Sequence, residues 1–85
     1  MRLIYKYPLA NVPVWVINVP YGARYLHFDF QLGQPTLWAE VDTDHDDVTV
    51  QVRLVMTGQN PPNDCTYVGT AEHDGIVLHC YVSAS

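Results

Sequence analysis

Positive charge is what this chain has least of. Four Lys or Arg stand against nine Asp or Glu in 85 residues, a formal net charge of −5. Direct nucleic-acid binding draws most of its affinity from Lys and Arg on phosphates, so that class is set aside. An acidic balance suits a basic protein partner, and it also serves plain solubility. Cysteine is scarcer still. Two thiols, Cys65 and Cys80, make no disulfide framework. A single bridge stays open, because sequence does not give the approach of their Cβ atoms. Free thiols in a reducing compartment are the expectation. Long apolar runs are missing as well. The longest uncharged stretch, Tyr7 to Ala23, is interrupted by Pro8, Pro13 and Pro20. It is too short and too broken to cross a bilayer. Arg2 and Lys6 bracket only a few apolar residues, so no signal peptide is expected.

Helical periodicity is absent too: no window carries apolar residues at spacings of three and four over a helix length. What the chain does have is alternation. Leu26, Phe28 and Phe30 fall on one side of an extended segment, with Tyr25, His27, Asp29 and Gln31 on the other. Val48, Val50, Val52, Leu54 and Met56 repeat the pattern against Thr49, Gln51, Arg53 and Thr57. Successive strand side chains point to opposite faces, so such runs mark half-buried strands.

Seven segments follow, set apart by turn residues: Arg2–Tyr7, Val14–Val19, Arg24–Gln31, Thr36–Val41, Val48–Thr57, Cys65–Glu72 and Ile76–Ser83. Gly33-Gln34-Pro35 predicts a hairpin between the third and fourth, and Asp74-Gly75 another between the sixth and seventh. The fold class expected is all-β: one domain over residues 1–85, a small antiparallel β-sandwich or partly open barrel of about seven short strands. A chain this short buries only about 60–65% of its unfolded surface, so its stability is expected to be modest.

Chemistry-bearing patterns are thin. Asp42, Asp44 and Asp46 match the opening positions of a calcium-binding EF-hand loop, but Asp47 stands where glycine is needed and Arg53 where the bidentate glutamate is needed. A solvated turn at a hairpin tip is the reading taken. His27, His45, His73 and His79 fit no zinc spacing. A two-histidine surface site at His27 and His79 would require their strands to pair. The only serines are Ser83 and Ser85, Cys80 falls in an apolar run, and there is no glycine-rich phosphate loop. Asp29, Glu40 and Glu72 form no carboxylate pair with acid–base spacing. The expectation is therefore a protein that is not an enzyme, with no cofactor and no metal site.

Aromatic residues are the better lead. If the Leu and Val faces are core, Tyr25, Trp38 and Tyr81 point outward, together with His27 and His79. Tyr and Trp concentrate at binding hot spots, where they supply area and a polar handle. Tyr25, His27, Trp38, His79 and Tyr81 are the candidate binding group, against the alternative that these rings belong to a second core or cover a sheet edge.

The same segments carry a family resemblance. Tyr5-Lys6-Tyr7-Pro8-Leu9, Pro20-Tyr21-Gly22-Ala23, Pro35-Thr36-Leu37-Trp38-Ala39-Glu40-Val41-Asp42, Thr57-Gly58 and Tyr67-Val68-Gly69-Thr70 occur in that order. Together they resemble a group of small uncharacterised proteins of tailed bacteriophages and prophages, a DUF7352-like domain of unknown function. The resemblance covers most of the chain, and the order of the motifs carries it. It implies a phage or mobile-element origin and a host bacterial cytoplasm, and it transfers no activity and no site residue.

Three functional readings follow. The first is a non-enzymatic, phage-encoded binding protein that engages a host protein or complex, with a bacterial defence system such as CRISPR as a target. The second is a virion or assembly component whose strand edges join subunits, which leaves a homo-oligomer open. The third is a small-ligand binder, such as a nucleotide-signal sponge, disfavoured by having only Arg2, Lys6, Arg24 and Arg53 to meet phosphates. No membrane partner is expected.

Overall fold

A computed structural model describes residues 1–84, which leaves Ser85 outside the described residues. Seven strands follow one another: β1 (Arg2–Pro8), β2 (Val14–Pro20), β3 (Arg24–Gln31), β4 (Gln34–Asp42), β5 (Asp47–Met56), β6 (Cys65–His73) and β7 (Ile76–Ser83). They form two antiparallel sheets. One has the order β1-β4-β3 and the other β2-β5-β7-β6. The 17 Å short dimension of the molecule fits two sheets packed face to face about 10 Å apart. The sheets do not close into a barrel.

Both hairpins exist, with one turn displaced. The β6–β7 turn is Asp74-Gly75, with φ of 51° and 80°. The β3–β4 turn is Leu32-Gly33, with φ of 51° and 79°, rather than Gly33-Gln34-Pro35. Positive φ at both central residues is the hairpin geometry that matches strand twist. Gln34 and Pro35 are thereby released into β4. Pro35 offers no N–H to Leu9, yet its carbonyl accepts the Leu9 N–H at 2.9 Å. The side-chain amide of Gln34 donates to the Leu9 carbonyl at 3.4 Å and takes the place of the missing donor.

The core lies between the sheets. Phe28 and Leu37 come from one sheet, and Val19, Val50, Val52, Leu54, Ala71, Leu78, Cys80 and Val82 from the other. Leu9, in the connection after β1, is fully buried among them. The alternation in β5 and β7 translates directly: Val50, Val52 and Leu54 are buried, as are Leu78, Cys80 and Val82.

In β3 the alternation breaks. The register jumps between Tyr25, opposite Ala39, and His27, opposite Trp38. Leu26 is the extra residue of a β-bulge, which reverses parity on either side of it. Tyr25 therefore shares the inner face with Phe28 and Phe30, and Leu26 is 42% exposed. A matching bulge in β6 falls between Tyr67 and Gly69. The two bulged strands are edges of opposite sheets and lie against each other, with Gly69 beneath Phe28.

Candidate functional site

The five candidate residues occupy three places. Trp38 and His27 lie on the outer face of the three-stranded sheet, opposite each other in register, with ring centroids 5.5 Å apart and planes at 42°. His27 Nε2 stands 3.6 Å from Asp29 Oδ2. Lys6 is Trp38's register partner on the other side, and Ile4, next along that face, is 66% exposed. Arg2 and Arg24 both flank Glu40, and Arg2 Nη1 donates to Glu40 Oε2 at 3.0 Å. Three of the four cations in an acidic chain thus surround one half-buried tryptophan on one face.

His79 and Tyr81 lie on the outer face of the other sheet. β3 and β7 belong to different sheets, so the conditional two-histidine site does not form. A hydrogen-bonded chain runs through His79 instead. Thr57 Oγ1 is 2.9 Å from its Nε2 and Thr70 Oγ1 is 2.8 Å from its Nδ1. Tyr67 Oη is 2.6 Å from Thr70 Oγ1, and the Tyr67 ring meets Tyr81 edge-on at 5.5 Å. Hydroxyls both donate and accept, so either imidazole tautomer is accommodated. Beside the chain lies a shallow cavity of about 220 Å³ that includes Met56, Gln59 and Pro61. Tyr67 and Thr70 are absent from the candidate group that the sequence offers, where they stand only in the Tyr67-Val68-Gly69-Thr70 motif. The bulge after Tyr67 is what aligns it with Tyr81 while leaving Thr70 beside His79.

Tyr25 belongs to neither outer face. It packs partly against the core, and burial pushes its phenol up to about 12. It lines a cavity of about 410 Å³ at one end of the sandwich with Tyr21, Ala23, Thr66 and Ser83. The expected outward grouping of Tyr25 with Trp38 and Tyr81 fails because the β3 bulge turns Tyr25 inward.

The acidic segment is not a hairpin tip. β4 and β5 lie in different sheets, so the chain crosses between layers there. Asp42 accepts the Asp44 N–H at 3.0 Å, and the Met1 amino group stands 3.2 Å from Asp42 Oδ1 and 2.9 Å from Asp44 Oδ2. These contacts hold the Asp42 carboxyl below its usual range and raise the amino group. His45 Nδ1 is 2.8 Å from the Tyr21 carbonyl oxygen. Among the described residues, no group of three or more His, Cys, Asp or Glu is arranged to hold a metal ion.

Cys65 sits opposite Ser83 and Cys80 opposite Gly69; both thiols are free. Burial pushes the Cys80 thiol up to about 12, the opposite of nucleophile activation. Ser83 Oγ accepts the Gln51 N–H at 2.8 Å, which ties the end of β7 to β5. Among the described residues, no helix is long and apolar enough to cross a membrane.

The family described as a domain of unknown function, DUF7352, matches residues 1–85. No curated protein matches the chain, and no solved structure does.

Proposed function

The chain belongs to the DUF7352 family, and on that footing we propose that it is a non-enzymatic binding protein that engages another protein. The observation that carries this reading is the outer face of the three-stranded sheet. There the tilted rings of Trp38 and His27 lie together beside exposed Ile4, within a border of Lys6, Arg24, Asp29 and the Arg2–Glu40 pair. An aromatic anchor with an apolar neighbour and a charged border is the composition of a binding hot spot.

The resemblance to tailed-phage and prophage proteins extends the proposal to a phage product acting in the host cytoplasm. The target placed first is a bacterial defence complex such as CRISPR. Such complexes handle nucleic acid through basic channels; the acidic remainder of the chain favours approach to them, while the Trp38 face, with Arg2, Lys6 and Arg24 against Asp29 and Glu40, meets a neighbouring surface rather than the channel itself. Binding of the purified protein to purified defence complexes, read by interferometry, tests the target. Trp38→Ala should weaken a genuine complex by roughly 30-fold or more, since a hot-spot truncation costs about 2 kcal/mol. Equal affinity of wild type and Trp38→Ala would remove this face from the proposal.

A second reading, assembly into a phage particle, draws support from the two strand edges that end the sheets at β1 and β2. Presence of the protein in purified particles separates it from the first.

A further inference from the structure

We propose that the free edge of β2 pairs with the same edge of a second copy of this chain. The direction of the β2 backbone follows from two hydrogen bonds that flank it. The Leu54 N–H donates to the Pro13 carbonyl at 3.0 Å, and the Tyr21 N–H donates to the Asp46 carbonyl at 2.9 Å. Pro13 and Tyr21 therefore face β5, and antiparallel alternation takes Trp15, Ile17 and Val19 with them. Val14, Val16 and Asn18 turn their N–H and C=O groups the other way, where no strand among the described residues pairs with them. Pro20 shares that parity, so its missing donor falls on the open side, where a strand tolerates proline.

This edge is unguarded. From Asn11 to Ala23 there is no charged side chain. Val16 is 55% exposed, and Val12, Val14 and Trp15 are exposed beside it. Sheet proteins blunt such edges with charge, because an open apolar strand is a template for another. The β1 edge shows the contrast. The Thr43 N–H donates to the Met1 carbonyl and the Leu9 N–H to the Pro35 carbonyl, so Arg2, Ile4 and Lys6 carry the outward groups. Self-pairing of β1 about Ile4 would set Arg2 against Lys6 of the second copy, and like charges directly opposed are destabilising.

β2 meets itself without that conflict. Pairing about Val16 sets Val14 opposite Asn18 of the second copy and Val16 opposite Val16. Each opposed pair can exchange both backbone bonds, and Pro20 is left beyond the pairing. Trp15 then falls opposite Ile17 of the second copy on the inner face, in the narrow type of pair where side chains approach most closely. Net charge of −5 makes two copies repel, and β2 carries no charge of its own to add to that repulsion. On the outer face of β5, Asp47 stands at one end and Arg53 at the other. The two-fold turns Arg53 of each copy toward the Asp47 end of its mate. The product is one continuous sheet of order β6-β7-β5-β2-β2-β5-β7-β6, isologous and closed.

Sedimentation equilibrium of the whole chain, from roughly 1 µM to 1 mM, reads the mass directly. The expected result is a rise from 9.6 kDa to twice that value. Val16→Lys sets two ammonium groups face to face and Val16→Pro deletes an outward N–H that β5 does not use; each should hold the mass at 9.6 kDa throughout. Ile4→Lys, on the other edge, should dimerise as wild type does. Circular dichroism checks that the variants fold. Amide exchange of the unmodified chain gives a reading independent of any variant: the Val14, Val16 and Asn18 amides should become protected as concentration rises, while those of Ile4 and Lys6 do not. A wild type that stays monomeric throughout overturns the proposal, including one that captures a different protein on β2. So does a dimer that survives both Val16 substitutions, or a mass that grows beyond two copies.

Discussion

The sandwich has one closed side and one open side, and the two are built from different residues. On the closed side β3 and β6 lie against each other, each bent by a bulge, with a glycine where the backbones approach. Phe28 fills the space there and is 2% exposed. On the open side β1 and β2 end their sheets without a neighbour. Leu3, Tyr5 and Trp15 share register faces with buried Val41, Ala39 and Val52, yet all three remain exposed. Core-facing orientation alone does not bury a side chain; the opposite sheet must reach far enough to cover it. Seven strands split three and four leave one margin uncovered, and that margin holds the surfaces available for association.

The strongest test of that difference is a pair of truncations at inward-facing aromatic positions, one on each side. Phe28→Ala should cost about 3–5 kcal/mol, the usual range for emptying a buried aromatic site. Trp15→Ala removes a larger side chain, but one already 39% exposed, and should cost about 1–2 kcal/mol in dilute protein. Urea midpoints at unchanged slope give both values. Equal costs would mean that the open side is as well covered as the closed one.

Gly69 sharpens the comparison by attacking the closed side where β6 meets the Phe28 backbone. A Cβ there would sit 3.5 Å from Phe28 Cβ and 3.6 Å from the Phe28 nitrogen, ordinary contact distances. Gly69→Ala should therefore be accepted, with a gain of about 0.5 kcal/mol from a less flexible unfolded chain. Gly69→Leu has nowhere to put its branch and should cost about 1–3 kcal/mol by prising the strands apart. Urea midpoints decide this pair as well.

Protonation probes the same interior. Cys80 is fully buried beside that seam, and burial raises both its thiol and the Tyr25 phenol. Each is neutral when protonated, so its contribution is whole below the unfolded value and is lost as pH climbs toward the folded one. Unfolding free energy should be level to about pH 9 and then fall by up to about 1.4 kcal/mol per pH unit for the thiol. Tyr25, only partly buried, adds a smaller share above its ordinary 10.0. Cys80→Ala should flatten the start of that decline. An unchanged alkaline limb in this variant would assign the effect to other groups.

How far all this could be read beforehand depends on which physical signal each feature leaves in the chain. Strand interiors are legible because burying one face writes a period of two into β5 and β7. The Asp74-Gly75 turn is legible because few residue pairs accept positive φ twice in succession. Leu32-Gly33 adopts the same geometry with a leucine in the first place, which composition does not suggest. Leu9 is a core residue outside any strand, so no periodicity announces it. Sheet membership leaves no local trace at all. That is why Trp38 and Tyr81, both correctly placed on outer faces, proved to belong to opposite sides of the molecule.

Bulges are the sharpest case, and Leu26 offers the smallest and most discriminating experiment. Strict alternation from Phe28 and Phe30 makes Leu26 a core residue, and replacing it with serine would then cost several kcal/mol through a cavity and a buried hydroxyl. The register shift places it instead as the extra residue, with its side chain 42% exposed. Leu26→Ser should then cost about 1 kcal/mol, the scale of a half-covered apolar side chain. Tyr25→Ser, one residue earlier, should cost at least three times as much because its ring packs against the core. The ordering of these two adjacent substitutions reads the bulge in solution. If Leu26→Ser proves the costlier, β3 runs straight, Tyr25 turns outward, and the seam with β6 loses the kink on which its closure depends.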